Sequence, residues 1–319
     1  MLHLLQSVQV QTQDPSADGV FTHDLAVNPL SVVLVHLRPL NDTGTTANFT
    51  QYLEVCDAVN RCNILHNGMS VVSASGRDLA ALAYFRHGIV PSQNTHLITN
   101  NDRRCVTLPI LLGRSPYDPD SCFPASRAGE LIMELDLDIA DTGYDDLQYT
   151  VETIELIGAK PKEYERKISL AQTFAATGIR QFDLPVNNTV RGALLFGTTA
   201  FTGATPAPSW GRVALQVDGV EMGLSGVDFE TLHTYHALRG IQPPIMSEHI
   251  HVETDTGGPT QMPTSIGAGG WANYAFIDLD PTRDDMYSID TSRVSRLQLR
   301  ADVETANACR VIPIERVRV

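Results

Sequence analysis

The chain has 319 residues, of which 43% are hydrophobic and 19% are charged, a balance that predicts a folded protein and argues against a disordered one. It carries 37 acidic and 23 basic residues, so the net charge is −14 and a basic face that coats nucleic acid is not expected. We therefore expect no direct sequence-specific binding to nucleic acid. No apolar run approaches the ~20 residues of a transmembrane helix, and the first residues lack the features of a secretory signal.

The first recurring pattern lies near residue 24. The motif HDLAVN at His23–Asn28 resembles FDLPVN at Phe182–Asn187, which begins 159 residues later. An apolar run follows each motif, at residues 32–35 and at residues 193–196, and predicts a strand. This match is the first sign of an internal repeat.

A β-hairpin is predicted next in both halves. Asn67-Gly68 interrupts an apolar segment in the first half, and Asp218-Gly219 does the same in the second. Both dipeptides suit the positive φ angles of a type I′ turn. The two glycines are 151 residues apart, close to the offset of the earlier motif.

Each hairpin is followed by a predicted helix. Ser75 and Ser225 both precede an aspartate by three residues, a pattern that resembles a capping box at a helix start. Gly88 and Gly240 suit the left-handed conformation that ends a helix. The spacing predicts one short helix in each half.

Alternating strands close both halves. Leu131–Leu137 and Leu297–Val303 alternate apolar and polar residues, which predicts strands buried on one face. A last strand is predicted at Tyr149–Ile157 and another at Arg310–Val319. Pro313 predicts that the final strand lies at a sheet edge or carries a bulge.

The repeated order predicts a tandem duplication. We expect an all-β protein built as a tandem double jelly roll, with residues 1–158 forming the N-terminal roll and residues 159–319 the C-terminal roll. Each roll is predicted as an eight-stranded β-sandwich with one short helix after the sixth strand. The polar stretch at residues 41–51 and the stretch at residues 242–270 are expected to be surface loops.

The segment between the halves, residues 158–167, holds all three lysines of the chain: Lys160, Lys162 and Lys167. This composition predicts a solvated linker. A second interpretation is a face that meets an anionic layer such as lipid headgroups.

The chain contains five cysteines, an odd number, with no CxxC pair. Neither a zinc site nor a disulfide framework follows from this spacing. It predicts small buried thiols in a reducing compartment. The cysteines are Cys56, Cys62, Cys105, Cys122 and Cys309.

A duplicated jelly roll can also be a two-domain cupin, which binds metal through histidines on adjacent strands. His249 and His251 would point to one face of a strand, with Glu253 as a further ligand. The chain has no histidine after His251, and the first half has no similar motif. A polar loop with two histidines is the expected alternative.

Two groups of acidic residues could hold structural calcium through their oxygens, although neither has EF-hand spacing. Solvated carboxylates are the expected alternative. The first group includes Asp141 and Asp145, and the second includes Asp278, Asp280 and Asp284. No other cofactor is expected, and no GxSxG, Walker A or HExxH motif supports an enzyme.

The two halves, the turns Asn67-Gly68 and Asp218-Gly219, and the helices after Ser75 and Ser225 carry a resemblance over nearly the whole chain. The chain resembles the double jelly-roll major capsid proteins of tail-less icosahedral viruses, the lineage that includes adenovirus hexon. The smaller versions from membrane-containing bacteriophages are the most similar in size. The resemblance rests on architecture, because the family has no diagnostic residue string.

The resemblance implies a structural protein of the virion, assembled in the host cytoplasm, and no enzymatic activity. Its partners would be itself, as a pseudo-hexagonal homotrimer, and neighbouring capsomers. Penton or minor capsid proteins and an internal lipid membrane would be further partners. The alternatives are a metal-dependent bicupin enzyme and a jelly-roll carbohydrate-binding or adhesin protein, which would use exposed aromatics such as Trp210 and Trp271.

Overall fold

The computed structural model describes residues 2–41, 52–93, 102–139, 144–198, 209–238, 252–253, 259–260 and 273–319. These residues form strands and three helices. In chain order the elements are β1 (His3–Gln13), β2 (Gly19–Asp24), β3 (Leu30–Asn41), α1 (Tyr52–Asp57), β4 (Val59–His66), β5 (Met69–Ala74), α2 (Gly76–His87), β6 (Ser92–Gln93), β7 (Val106–Leu111), β8 (Leu131–Leu137), β9 (Tyr144–Ile157), β10 (Glu163–Ile168), β11 (Leu170–Thr173), β12 (Gly178–Leu184), β13 (Thr189–Gly197), β14 (Trp210–Val217), β15 (Val220–Glu221), β16 (Val227–Asp228), α3 (Phe229–Leu238), β17 (Val252–Glu253), β18 (Pro259–Thr260), β19 (Tyr274–Asp278), β20 (Ile289–Asp290), β21 (Leu297–Val303) and β22 (Ala308–Arg318).

Three large sheets organise the molecule. The first has the strand order β1-β9-β3-β7-β6, and the third has the order β12-β21-β14-β15. The second runs β19-β13-β22-β10-β5-β4-β8-β2 and contains strands from both halves of the chain. Each half thus pairs one sheet of its own with one part of the shared sheet, and the prediction of an all-β double jelly roll is confirmed. The boundary at residue 158 itself stays a prediction.

Each sandwich encloses its own apolar core. The first core contains residues of β3, β4, β5, β7, β8 and β9 together with α2. The second contains residues of β12, β13, β14, β19, β21 and β22 together with α3. Residues of β13, β19 and β22, such as Leu194 and Phe276, also join the first core, so the two sandwiches are packed against each other.

The shared sheet is continuous because β5 of the first half pairs in parallel with β10 of the second. Lys167 faces Val72 and Ile168 faces Ser73 in this pairing. On its other side β10 pairs antiparallel with β22, from Glu163 opposite Arg318 to Lys167 opposite Ile314. Neither β5 nor β10 is therefore left as an open edge, which would be prone to aggregation.

Both predicted hairpin turns are confirmed. Asn67 and Gly68 have φ angles of 50° and 79°, and Asp218 and Gly219 have 47° and 84°, so each turn has two residues in the left-handed region. His66 pairs with Met69 across the first turn. The strand twist of a hairpin favours this turn type, which explains the Asn-Gly and Asp-Gly signals.

The first turn yields a prediction about stability. We expect Gly68→Ala to lower the free energy of unfolding by about 1 kcal/mol, because a Cβ is strained at this positive φ although the space around it is open. Gly19→Ala is the matched control, since its φ is not positive and the nearest atom to a new Cβ is 4.0 Å away. Urea denaturation of both variants checks this, and equal midpoints would contradict it.

The first predicted helix start is confirmed and the second is wrong. Ser75 caps α2, since its hydroxyl accepts a hydrogen bond from the backbone N–H of Asp78 at 3.2 Å, and Gly88 ends the helix with a φ of 69°. Ser225 instead donates to the carboxylate of Glu221. Val227 and Asp228 are extended and pair with β14 as strand β16, so α3 begins only at Phe229.

Two other details differ from the predictions. In the described part of the first half, α2 follows β5, the fifth strand, and not a sixth, and a further helix, α1, precedes the hairpin. The strand with Pro313 is not an edge, since β22 lies between β13 and β10. The register shift nearest to Pro313 lies in the partner strand, between Val190 and Gly192. Proline is tolerated here because pairing with β10 stops at Ile314 and resumes at Val311 with β11.

Other predictions are confirmed. The strands Leu131–Leu137 and Leu297–Val303 have the predicted bounds, and buried residues alternate strictly along the first. Four of the five cysteines are buried and Cys105 is half-buried. Burial raises the pKa of Cys56 and Cys62 to about 12, so these thiols are unreactive.

Candidate functional site: the charged joint between the two halves

A cluster of charged side chains fills the region where α2 of the first half meets β10, β13, β22 and the segment after β19. We call it the joint cluster. Burying so many charges is costly unless each is paired, so their arrangement decides whether the two halves hold together. Its basic members are Arg86, Arg114, Lys167, Arg191, Arg283 and Arg316, and its acidic members are Glu163, Glu165, Asp278, Asp280 and Asp285.

Glu165 lies at the centre of the joint cluster. Its side chain is fully buried, and Arg86 Nη2 donates to its Oε1 at 2.7 Å. Lys167 Nζ lies 3.0 Å from its Oε2, and Arg191 Nη1 lies 3.5 Å from its Oε1. Lys167 also donates to the carbonyl oxygen of Leu111 at 2.7 Å. One carboxylate of β10 therefore binds basic groups from both halves.

The aspartates after β19 surround this centre. Asp280 Oδ2 lies 3.3 Å from both Arg86 Nη2 and Arg114 Nε. Asp285 accepts from Arg191 Nε at 2.7 Å and from Arg316 Nη1 at 3.1 Å. Because Arg86 and Arg114 come from the first half, these contacts fasten the second half to it.

The charges shift the pKa values of the groups in the joint cluster. Burial alone would raise the pKa of Glu165, but Arg86, Lys167 and Arg191 outweigh it and the pKa lies far below its ordinary value. The pKa of Asp285 is lowered in the same way, against its burial, by hydrogen bonds from Arg191 and Arg114. Both carboxylates are therefore charged at neutral pH.

The surroundings of His87, at the end of α2, disfavour its charged form, unlike those of the two carboxylates. Burial, and secondarily the charge of Lys167, lowers its pKa well below the ordinary 6.5, so the imidazole is neutral in the folded protein. A lowered pKa means that the unfolded chain binds more protons than the folded one in the pH range between the two values. Stability therefore falls as pH drops through this range.

The lowered pKa values of His87 and of the carboxylates predict that acid destabilises the protein in two stages. As pH falls below about 6.5, the unfolded chain protonates His87, and below about 4.5 it protonates the carboxylates that stay charged in the joint cluster. Burial also lowers the pKa values of His23 and His36, so we expect His87→Gln to weaken the first stage and to leave the second unchanged. Urea unfolding from pH 7.5 to 4 checks this, and an unchanged slope between pH 6.5 and 5 in the variant would contradict the assignment.

A second set of polar contacts joins the two halves two turns earlier on α2. Tyr274 donates to Asp78 Oδ1 at 2.8 Å, and Arg310 Nη2 donates to the same oxygen at 2.9 Å. The guanidinium of Arg310 also lies 3.8 Å from the centre of the Phe196 ring. Asp78 and Arg86 are eight residues apart on α2, so one helix face makes both sets of contacts.

An equivalent pair of residues recurs in the two halves. Asn28 Nδ2 donates to Glu155 at 2.7 Å, and Asn188 Nδ2 donates to Glu315 at 2.8 Å, each pair shifted by 160 residues. The strand opposite differs: Leu5 faces Glu155, whereas Arg166 faces Glu315 and donates to it at 2.7 Å. The duplication is therefore visible in side-chain contacts, and β1 is the counterpart of β10.

The predicted linker with three lysines is wrong for its second half. Residues 163–168 form the buried strand β10, and Lys167 lies in the joint cluster, where it can contact neither water nor lipid headgroups. Lys162 is exposed and pairs with Asp120 at 3.0 Å. A strand with alternating buried charges has the same composition as a solvated linker, which explains the error.

The structure places the predicted calcium ligands differently from the prediction. Asp278 and Asp280 come together, but arginines surround them, with Arg86 3.4 Å from Asp278. Asp284 points away and accepts from Thr282 Oγ1 at 2.6 Å. In the described part of the chain, no group of three His, Cys, Asp or Glu side chains is placed to hold a metal.

The remaining predicted site residues do not form a common site in the described part of the chain. Asp141, His249 and His251 lie outside the described residues, as does Trp271. The backbone of Asp145 belongs to β9 and pairs with Leu40. Trp210 is fully buried and cannot stack on a sugar, so it does not support the carbohydrate-binding alternative.

No helix among the described ranges is long and apolar enough to cross a membrane.

The sequence analysis missed the arginines of the joint cluster. Arg86 and Arg191 are completely buried, yet arginine is normally a surface residue. The one available signal was Glu163-Tyr164-Glu165-Arg166-Lys167, where acidic residues alternate as in a strand. Their arginine partners come from distant parts of the sequence.

No family model matches the sequence, and no curated protein matches it. Solved structures do. The major capsid protein P2 of bacteriophage PM2 matches with a TM-score of 0.63 and 12% identity over 100% of this chain and 98% of that chain. The chain has the double jelly-roll fold. A structure of Sulfolobus Turreted Icosahedral Virus matches with a TM-score of 0.70 and 12% identity, over 99% of this chain and 91% of that one.

A third double jelly roll is the Faustovirus major capsid protein, with a TM-score of 0.57 and 9% identity over 99% of this chain and 90% of that chain. The match includes both sandwiches of the double jelly roll and the joint between them. At this low identity the likeness concerns the fold, and the side chains of the joint cluster belong to this chain.

Proposed function

We propose that the protein is a viral major capsid protein with a structural and non-enzymatic role. One observation supports this most: its double jelly roll aligns along nearly the full length of several capsid proteins, including that of bacteriophage PM2. An alignment of one sandwich alone would support only a common β-sandwich. Here the order of two sandwiches and their joint is shared.

The proposed working unit is a homotrimer. Three copies would place six jelly rolls around a threefold axis, and the resulting pseudo-hexagon can tile an icosahedral shell beside neighbouring capsomers. The joint cluster supports this, because it holds the two rolls of one chain at a set angle. Interfaces of such permanent assemblies commonly bury more than about 2,000 Å².

The finer parts of the proposal concern the virion. We place the protein in the capsid shell, assembled in the host cytoplasm, with penton or minor capsid proteins at positions that hexagons cannot fill. The net charge of −14 disfavours direct contact with the genome and is compatible with an internal membrane between genome and shell. No cofactor is proposed; calcium would have to compete with the arginines at Asp278 and Asp280.

The test is assembly. Native mass spectrometry of the purified protein should give three times the mass of the 34.8 kDa chain, and electron microscopy should show pseudo-hexagonal particles or shells. The trimer should persist after exhaustive dialysis against EDTA if calcium is dispensable. A protein that stays monomeric at every concentration up to the solubility limit would overturn the proposal.

A further inference from the structure

We propose that β1 of one copy packs against β15 and α3 of the next copy, and that this contact repeats between chains the joint that β10 makes with β5 and α2 within a chain. The inference rests on the proposed self-assembly and names the surfaces that carry it. Three independent features of the described residues support it: the burial of α2, the exposure of α3 and the open edge of β1.

Helix α2 makes the equivalent contact within the chain, where the second half covers it. Ten of its twelve residues are buried, among them Asp78 and Arg86, which bind the second half of the chain. A surface helix would bury one stripe only. The remaining faces of α2 are buried because β19 and β22 of the second half lie against them through Tyr274 and Arg310.

Helix α3 holds the equivalent place in the second half, but among the described residues no strand of the other half covers it as β19 and β22 cover α2. Phe229 and Leu232 face its own core, whereas Tyr235 is 49% exposed and Leu238 is 78% exposed. The hairpin before α3 is also open, with Val220 at 66% and Met222 at 50% exposure. Large exposed apolar side chains on β15, just after it and on α3 are candidates for an interaction surface.

Strand β1 is the counterpart of β10 and has an open edge. Each is the first strand of its half and pairs antiparallel with the last strand, β9 or β22. The second edge of β10 is covered by β5, but β1 ends its sheet. Its exposed apolar residues are Leu4, Leu5 and Val8, and the preceding Leu2 is exposed as well.

The two open surfaces therefore complement each other as the two covered ones do. Within the chain, Lys167 of β10 faces Val72 of β5. Gln6 corresponds to Lys167, because each follows the residue that faces the equivalent glutamate, Glu155 or Glu315. Gly223 corresponds to Val72, because each lies four residues after the glycine of its hairpin turn. We therefore expect β1 to run parallel to the hairpin of the next copy, with Gln6 near Gly223. Such a contact joins different surfaces of two identical chains, and a ring closes when the last copy meets the first.

The occupant of both surfaces is a second copy because each chain carries one surface of each kind. An unrelated partner would need to match the edge of β1 alone and would leave α3 open. The contact of β1 with β15 and α3 covers both surfaces, whether two copies exchange it as an isologous pair or three copies repeat it around a ring. The proposed trimer is the ring, so the mass of the wild-type assembly decides between the two arrangements.

The test uses two double variants of the full chain. The β1 variant carries Leu4→Glu and Leu5→Glu, and the α3 variant carries Tyr235→Glu and Leu238→Glu. Each retains one intact surface. We expect each variant alone to lose trimers, with at least a ~30-fold weaker association, and an equimolar mixture to form dimers through the remaining pair of intact surfaces.

Val20→Glu is the matched control, since Val20 is 62% exposed on β2, an edge strand outside the proposed contact. It should form trimers as the wild type does. Urea midpoints of all variants show whether the monomers are folded; if a glutamate variant unfolds, Leu4→Gln with Leu5→Gln and Tyr235→Gln with Leu238→Gln replace it.

The outcomes separate this inference from the proposed function. If both variants form trimers as the wild type does, the proposed contact is wrong and the capsid proposal stays intact. A wild type that never assembles would overturn the capsid proposal itself. A mixture of folded variants that yields no dimer, although each variant alone is monomeric, would also overturn the head-to-tail arrangement.

Discussion

Replacing Arg191 by methionine is expected to lower the free energy of unfolding by about 3–5 kcal/mol. Arg191 is fully buried and binds Glu163, Glu165 and Asp285 in the joint cluster. Methionine fills similar space but leaves these carboxylates with less positive charge in a largely buried site. The cost is therefore that of uncompensated buried charge, which exceeds the worth of the ion pairs themselves.

Arg212→Met is the matched control for this variant. Arg212 also lies on a strand of the second half and pairs with Asp228 at 2.9 Å, but its side chain is 70% exposed. Exposed ion pairs contribute about 0–1 kcal/mol, so its urea midpoint should stay close to that of the wild type. If Arg191→Met and Arg212→Met have free energies of unfolding within 1 kcal/mol of each other, the joint cluster does not hold the halves as described.

Trp210→Ala is expected to cost about 3–5 kcal/mol, the second large effect. The indole is fully buried in the second core, stacks on Phe182 with ring centres 5.2 Å apart and meets Phe174 edge-on at 6.2 Å. Truncation leaves a cavity that two neighbouring rings border, and a tightly packed β-sandwich closes such a cavity poorly.

Two further variants isolate the cause. Trp210→Phe should cost much less than Trp210→Ala, because packing and not a hydrogen bond holds the indole. Tyr287→Ala removes an aromatic ring that is 58% exposed and should change the free energy of unfolding by no more than about 0.5 kcal/mol. Thermal and urea unfolding provide the measurements, and a small effect of Trp210→Ala would show that the second core repacks.

Both predictions bear on assembly. Loss of Arg191 should loosen the angle between the rolls, whereas loss of Trp210 should destabilise one roll and leave the joint cluster untouched. A capsomer needs both, since a roll that unfolds and a joint that bends each remove the surfaces that meet the next copy. Particle yield should therefore fall in both variants, but only Arg191→Met should alter the acid range in which the protein unfolds.

Much of the fold could be predicted from short sequence patterns. The dipeptides Asn67-Gly68 and Asp218-Gly219 specified their turns because few residues tolerate two positive φ angles in succession. The alternation in Leu131–Leu137 specified a strand with one buried face. The recurrence of these local signals revealed the duplication, and each depends on residues only a few positions apart.

The tertiary structure alone decided the remaining features. Ser225 has the same local pattern as Ser75, yet the next residues pair with β14 and delay the helix. The segment around Lys167 has the composition of a linker but becomes a strand because β5 and β22 flank it. In both cases strand pairing outweighs a local preference, which for the helix cap at Ser225 is worth about 1 kcal/mol.

The sequence by itself determined that this protein is a tandem duplication of one β-rich unit, with turns and alternating strands at matching positions. Only the tertiary structure decided which charges are buried and which edges stay open. The physical reason is distance along the chain. Arg86 binds Glu165, which is 79 residues away in the sequence, and it also binds Asp280, which is 194 residues away. No local pattern encodes such a meeting, because a buried charge is stable only where the fold brings its partner.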